Sequence, residues 1–130
     1  MTSERSGGQS LLEFALTLPV FLWLLVGLLD LGRGVASYTV LANSAREGAR
    51  AAIIPFTSDA TIEVAVNSQG ALLGTIPAGD ISVSPPVGSR SPGTQITVEV
   101  RWTFRPFTPF VSNAVGSAIQ MSATSVATIE

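Results

Sequence analysis

The stretch Gln9 to Leu31, QSLLEFALTLPVFLWLLVGLLDL, constrains this chain more than any other. From Phe14 to Leu29 it holds no ionisable group, and from Leu11 onward only Glu13 interrupts it. That is about 19 positions, close to the roughly 20 residues a helix needs to cross a bilayer. A single membrane-spanning helix is the economical reading. Pro19, in its first half, predicts a bend or a loosened turn, which a membrane helix tolerates because a neighbouring helix or local distortion re-satisfies the backbone. Glu13 is the costly residue, since an acid in the middle of such a helix is penalised by about 3 kcal/mol on insertion scales. Either it has a partner or it sits near the interface and reaches back to water.

What remains is limited in size and chemistry. The 130 residues leave room for one small domain of roughly 80 residues once the helix is subtracted. All seven basic residues are Arg and the net charge is -2, so there is no basic field for nucleic acid. The chain has no Cys, no His and no Lys, which removes disulfides, thiolate metal sites, the common nucleophile–base pairs and a Ser–Lys pair. With no Gly-rich phosphate loop either, the composition points to binding or structural work, not to an enzyme, and implies no cofactor or metal.

Ahead of the apolar run, Met1–Gly8 (MTSERSGG) is polar and too short to pack a core, so it reads as a leader or tail. A conventional signal peptide is a competing reading, because Gly34-Val35-Ala36 places small residues where a signal peptidase inspects them. Against it, Asp30 and Arg33 intervene and the apolar run is long for such a signal. These two charges, three apart, mark an interfacial stop.

Beyond the run, Val35, Tyr38, Leu41/Ala42, Ala45, Ala49 and Ile53 recur three or four apart, predicting an amphipathic continuation of the helix until Pro55 ends it. Unbroken from Leu11 to Ile53, it would be about 65 Å long and protrude from the membrane. Gly27, Gly32, Gly34 and Gly48 weaken it by propensity but permit close packing. Along it, Asn43, Arg46, Glu47 and Arg50 form a polar set. They either dock a partner or fix the helix onto its own domain, and the second reading is preferred.

Residues 55–130 predict a small helix-plus-sheet domain. Ser58-Asp59 offers an N-cap, and Ile62, Val66 and Leu72/Leu73 give a short helix ending before Gly74 and Pro77. Its acids, Asp59 and Glu63, read as a solvated face. From Ile81 the period becomes two: Ile81 and Val83, then Ile96, Val98, Val100, Trp102 and Phe104, with Gly88–Gly93 as the hairpin loop and a third strand through Ile119, Met121 and Ala123. The expected fold is α+β: a long N-terminal transmembrane and amphipathic helix, a short second helix and a small antiparallel three-stranded sheet on the distal helix. Four segments follow, namely a leader over 1–8, the transmembrane helix over 9–31, its protruding part over 32–54 and the domain over 55–130. Phe107, Phe110 and Val111 fall in a loop and, if exposed, are the candidate contact with a partner subunit or the membrane surface.

A polar leader ending in Gly, followed by an apolar helix with Glu at the fifth position and then Phe, resembles the processing site of type IV pilin-like proteins. More widely, GQSLLEFALTLPVFLWLLVGLLDLGR and ANSAREGAR resemble the TadE-like family of tight-adherence pilus systems. Gly8, Glu13, Phe14, Pro19, Asp30, Gly32, Arg33, Asn43, Ala45, Arg46, Glu47 and Arg50 all fall on its pattern positions, and the match runs from Gly8 to about Ala52. The resemblance implies a pilin-like minor pseudopilin, cleaved between Gly8 and Gln9 by a prepilin peptidase and resident in the bacterial inner membrane. Its domain would be extracytoplasmic, and the subunit would enter a cell-surface pilus. It further implies partnership with a major pilin of the Flp type, other minor pseudopilins, the assembly platform and membrane lipid. Glu13, Phe14 and Pro19 would serve subunit packing, with the new amine of Gln9 able to pair with a neighbour's Glu13. Competing readings are a permanently anchored accessory or adhesion domain, and a β-rich domain secreted after Ala36.

Overall fold

The computed structural model describes residues 5–130, so the first four residues of the expected leader lie outside the described residues. Its dominant element is α1 (Arg5–Ala51), one helix of 47 residues and about 70 Å at 1.5 Å per residue. It begins within the segment expected as a leader and runs unbroken through Pro19. It is long and apolar enough to cross a membrane. Leu11, Phe14, Leu16, Val20, Trp23, Leu24 and Leu28 are all exposed on it, on every side of the cylinder. A helix apolar all round and so largely exposed is suited to lipid, not water.

The distal part of α1 carries the domain. After it come α2 (Asp59–Gln69), β1 (Ile81–Ser84), β2 (Gln95–Phe104), α3 (Pro109–Val115) and β3 (Ile119–Thr128). The three strands form one antiparallel sheet in the order β1-β2-β3, with Val100 opposite both Ile81 and Ala123, and Phe104 opposite Ile119. Alternate residues of β2 point inward, and Ile96, Val98 and Val100 are fully buried. They meet Leu41, Ala45 and Ala49 of α1, Ala52 just beyond it, and Ile62 and Val66 of α2. Each large side chain so buried contributes about 1.5–3 kcal/mol. The three-stranded sheet and the short second helix thus occur as expected.

The helix face that packs keeps Leu41, Ala45 and Ala49 of the expected apolar stripe but departs from it nearer the membrane. Val35 and Tyr38 are 69% and 52% exposed, whereas Gly34, Ser37, Leu41, Ser44, Gly48 and Ala52 turn toward the domain. Size explains this. A Cβ on Gly48 would lie 2.6 Å from Val66 Cγ2 and 3.2 Å from Val98 Cγ1, so only a bare backbone admits both helix and sheet at this point. The second helix is also shorter than expected. It starts at the Ser58 N-cap, whose side chain accepts from Thr61 N–H, but stops at Gly70. Leu72 lies in a separate single turn (Ala71–Leu73) and is exposed, while Leu73 packs against the core. Asn67 closes this corner, with its amide oxygen accepting from Ile76 N–H at 2.7 Å and its amide nitrogen donating to Ile76 C=O at 3.2 Å.

Candidate functional site: the membrane helix and the segment clasped to it

At the N-terminal end of α1, Gly8, Gln9, Glu13, Phe14 and Pro19 are exposed along the lipid-facing part of the helix. The Glu13 backbone carbonyl accepts from Thr17 Oγ1 at 2.8 Å. Among the described residues nothing pairs with its carboxylate. Proline at 19 has no N–H to give the carbonyl four residues back, a loss that packing or a local shift must offset.

At the other end of the apolar run the chain closes on itself. Asp30 is 3% exposed because the β2–α3 connection folds down over it. Its Oδ1 accepts from Arg33 at 3.0 Å and its Oδ2 from the backbone N–H of Thr108 at 2.8 Å. Thr108 is the residue before α3, so Asp30 accepts the N–H that the third-position acid of a capping box would otherwise take. Arg33 also lies over two aromatic rings, 4.1 Å from the centre of Phe107 and 5.6 Å from that of Phe104. Phe104 is buried with its ring against Gly34, and Trp102 is half-buried beside it, so both serve as core. Asp30 and Arg33 are therefore more than an interfacial stop. They latch a sheet connection to the membrane helix.

The segment expected as a loop contains α3, with Pro109 in its first turn. Phe107 and Phe110 are 78% and 69% exposed, meeting the condition set for a contact surface. They lie against the apolar helix itself. Phe107 shares a groove with Leu22, Trp23 and Val26, and Phe110 another with Val20, Leu24 and Leu28.

Among the described residues, the side-chain hydrogen bonds of the polar set on the distal helix run within the set. Arg46 donates to Asn43 Oδ1 at 3.1 Å, and Arg50 forms a forked pair with Glu47, both along the exposed side of α1. The partners are three apart on one helix face, and the buried positions between them are the small residues Ser44, Ala45, Gly48 and Ala49. Hydrogen bonding from Arg50 holds the Glu47 carboxyl below its ordinary value, and the same bond raises Arg50. A like pair on β2, Arg101 with Glu99, lowers the Glu99 carboxyl by the same cause.

Two residues that position these surfaces escaped the sequence reading. One is Thr108, whose only signal is its place before Pro109. The other is Arg90, 2% exposed in the β1–β2 loop, which donates to Pro85 C=O at 2.9 Å, to Thr57 C=O at 2.8 Å and to the Asp59 carboxylate. Asp59 is thus half of an ion pair and not merely a solvated acid. Among the described residues no three His, Cys, Asp or Glu side chains gather as metal ligands.

No curated protein and no solved structure gives a significant match to the chain. Residues 8–50, which span the membrane helix, the Asp30 latch and the polar set, match the family model of TadE-like protein; the similarity of this segment suggests a Tad pilus-related membrane protein.

Proposed function

We propose that the protein is a minor pseudopilin of a tight-adherence, Flp-type pilus, cleaved after Gly8 by a prepilin peptidase and inserted with its sheet domain extracytoplasmic. The observation that carries this reading is Glu13, an acid on an exposed apolar helix with no partner for its carboxylate among the described residues. A carboxylate in that setting demands a counter-charge, and cleavage would create one in the Gln9 amine of a neighbouring subunit. Phe14 and Pro19 lie on the same exposed helix and would pack against that neighbour. The polar set Asn43, Arg46, Glu47 and Arg50 then offers a docking edge for the major pilin, other minor pseudopilins or the assembly platform. Its role is structural and not enzymatic.

The test is the N-terminal mass of the protein recovered from membranes of cells that also express its secretion locus. A chain starting at Gln9 is expected, and pilus assembly should fail with Glu13→Ala. An intact Met1 start with assembly indifferent to Glu13 would leave a permanently anchored accessory domain, and a Ser37 start would mean simple secretion.

A further inference from the structure

The connection between β2 and β3 turns away from the sheet and lies along the apolar part of α1. Between α3 and that helix runs an apolar groove of about 440 Å³, lined by Val20, Trp23, Leu24, Leu28, Phe110 and Val111. Phe107, Phe110 and Val115 are 78%, 69% and 56% exposed. From Pro106 to Ile129 the chain carries no ionisable residue, whereas Arg33 and Arg105 flank the base of the segment and are exposed.

Helix length decides where this segment sits. Residues 20–31, alongside α3, cover about 16 Å of α1 at 1.5 Å per residue. Were the membrane boundary below α3, the apolar helix left from Leu11 to Val20 would span about 14 Å, roughly half of a hydrocarbon core about 30 Å thick. The boundary therefore falls above the groove, near Asp30 and Arg33, where the first charges after the apolar run occur.

We infer that residues 106–117 form a second membrane element, with α3 embedded in the leaflet nearest the sheet domain and phospholipid acyl chains covering Phe107, Phe110 and Val115. The inference rests on the reading of α1 as a membrane anchor. The backbone suits an interfacial depth: Thr108 N–H is taken by Asp30, Pro109 has no N–H to satisfy, and Ser112 Oγ donates to Pro109 C=O at 3.0 Å. Exposed Asn113 and Ser117 keep the segment near the headgroups, where Arg33 and Arg105 meet lipid phosphates.

Because the chain has no cysteine, single Cys variants can each carry one environment-sensitive fluorophore. The full chain would be labelled at Phe110→Cys, Ala114→Cys, Leu16→Cys or Leu72→Cys. Each would be placed in vesicles of phosphatidylcholine with a minority of phosphatidylglycerol. Doxyl-labelled lipid should quench positions 110 and 114 as it quenches 16, and aqueous iodide should quench them several-fold less than 72. Iodide quenching at 110 and 114 equal to that at 72 would overturn the inference. So would shielding of both from lipid and iodide alike, which means a second copy or another protein covers the face. Should Phe110→Cys fail to fold, Ala114→Cys carries the same test. Loss of lipid quenching at 16 would instead remove the anchor itself, and the inference with it.

Discussion

Asp30 on the membrane helix accepts the backbone N–H of Thr108 at 2.8 Å across 78 positions of sequence. This bond, with Arg33 paired to Asp30 on the same helix and lying over the Phe107 ring, fastens the apolar helix to the segment beside it. With Asp30→Ala, α3 should loosen while the sheet stays intact. Hydrogen exchange in detergent micelles should show the Thr108 amide losing at least about tenfold in protection, as expected when a hydrogen bond to a charged acceptor is removed, with the β2 amides unchanged. Unchanged protection at Thr108 would mean that apolar contacts alone hold the segment.

Among the described glycines, Gly48 leaves the least room for a side chain. Gly48→Ala gains up to about 1 kcal/mol of helix propensity but forces the Val66 and Val98 methyls apart, an overpacking cost of about 1–3 kcal/mol. The sum should be destabilising in chemical denaturation of the detergent-solubilised protein. Val66→Ala should cost less in the Gly48→Ala background than in the parent, since it removes the atom 2.6 Å from the new methyl. A stabilised Gly48→Ala would show that the helix and α2 separate freely.

Arg90 ties its own loop to the Thr57–Asp59 stretch through two carbonyls and one carboxylate. Arg90→Met leaves the Thr57 and Pro85 carbonyls short of a donor and should cost about 1–3 kcal/mol. Arg90→Lys should restore little, because a single ammonium cannot donate along the three directions a guanidinium covers. Thermal unfolding of the two variants checks both statements, and near-equality of Arg90→Lys with the parent would refute the second.

The Glu47–Arg50 pair makes a pH-dependent contribution of known sign. Its folded-state carboxyl is depressed, so its stabilisation is fully present above the unfolded carboxylate value and is lost as pH falls through the folded one. Because Arg50 is largely exposed, the effect is small and weakened by salt. Melting midpoints of the parent and Glu47→Gln should differ slightly at neutral pH in low salt and converge in acid. A gap that widens on acidification would contradict the assignment.

Elements that repeat regularly were legible in the residues themselves. The apolar run, the period-two strands through Ile96–Phe104 and Ile119–Thr128, and the Ser58 cap each declare themselves within a few positions. The buried face of the distal helix did so only in part, through Leu41, Ala45 and Ala49. Hydrophobic spacing selects Val35 and Tyr38, whereas the sheet selects Gly34, Ser37 and Gly48, because close approach between elements rewards small size over apolarity.

The candidate site divides along the same line. Glu13 in an apolar helix is a local statement, since its cost depends only on the residues around it in sequence. The sequence by itself therefore determined a membrane helix bearing a carboxylate in need of a partner, followed by a small α+β domain. Only the tertiary structure decided that Asp30 is buried under Thr108, that the polar set of the distal helix faces outward, and that Phe107 and Phe110 lie beside Trp23 instead of over the sheet. Those pairings join residues tens of positions apart, and their energies depend on which surfaces the chain brings together, a quantity no local pattern contains.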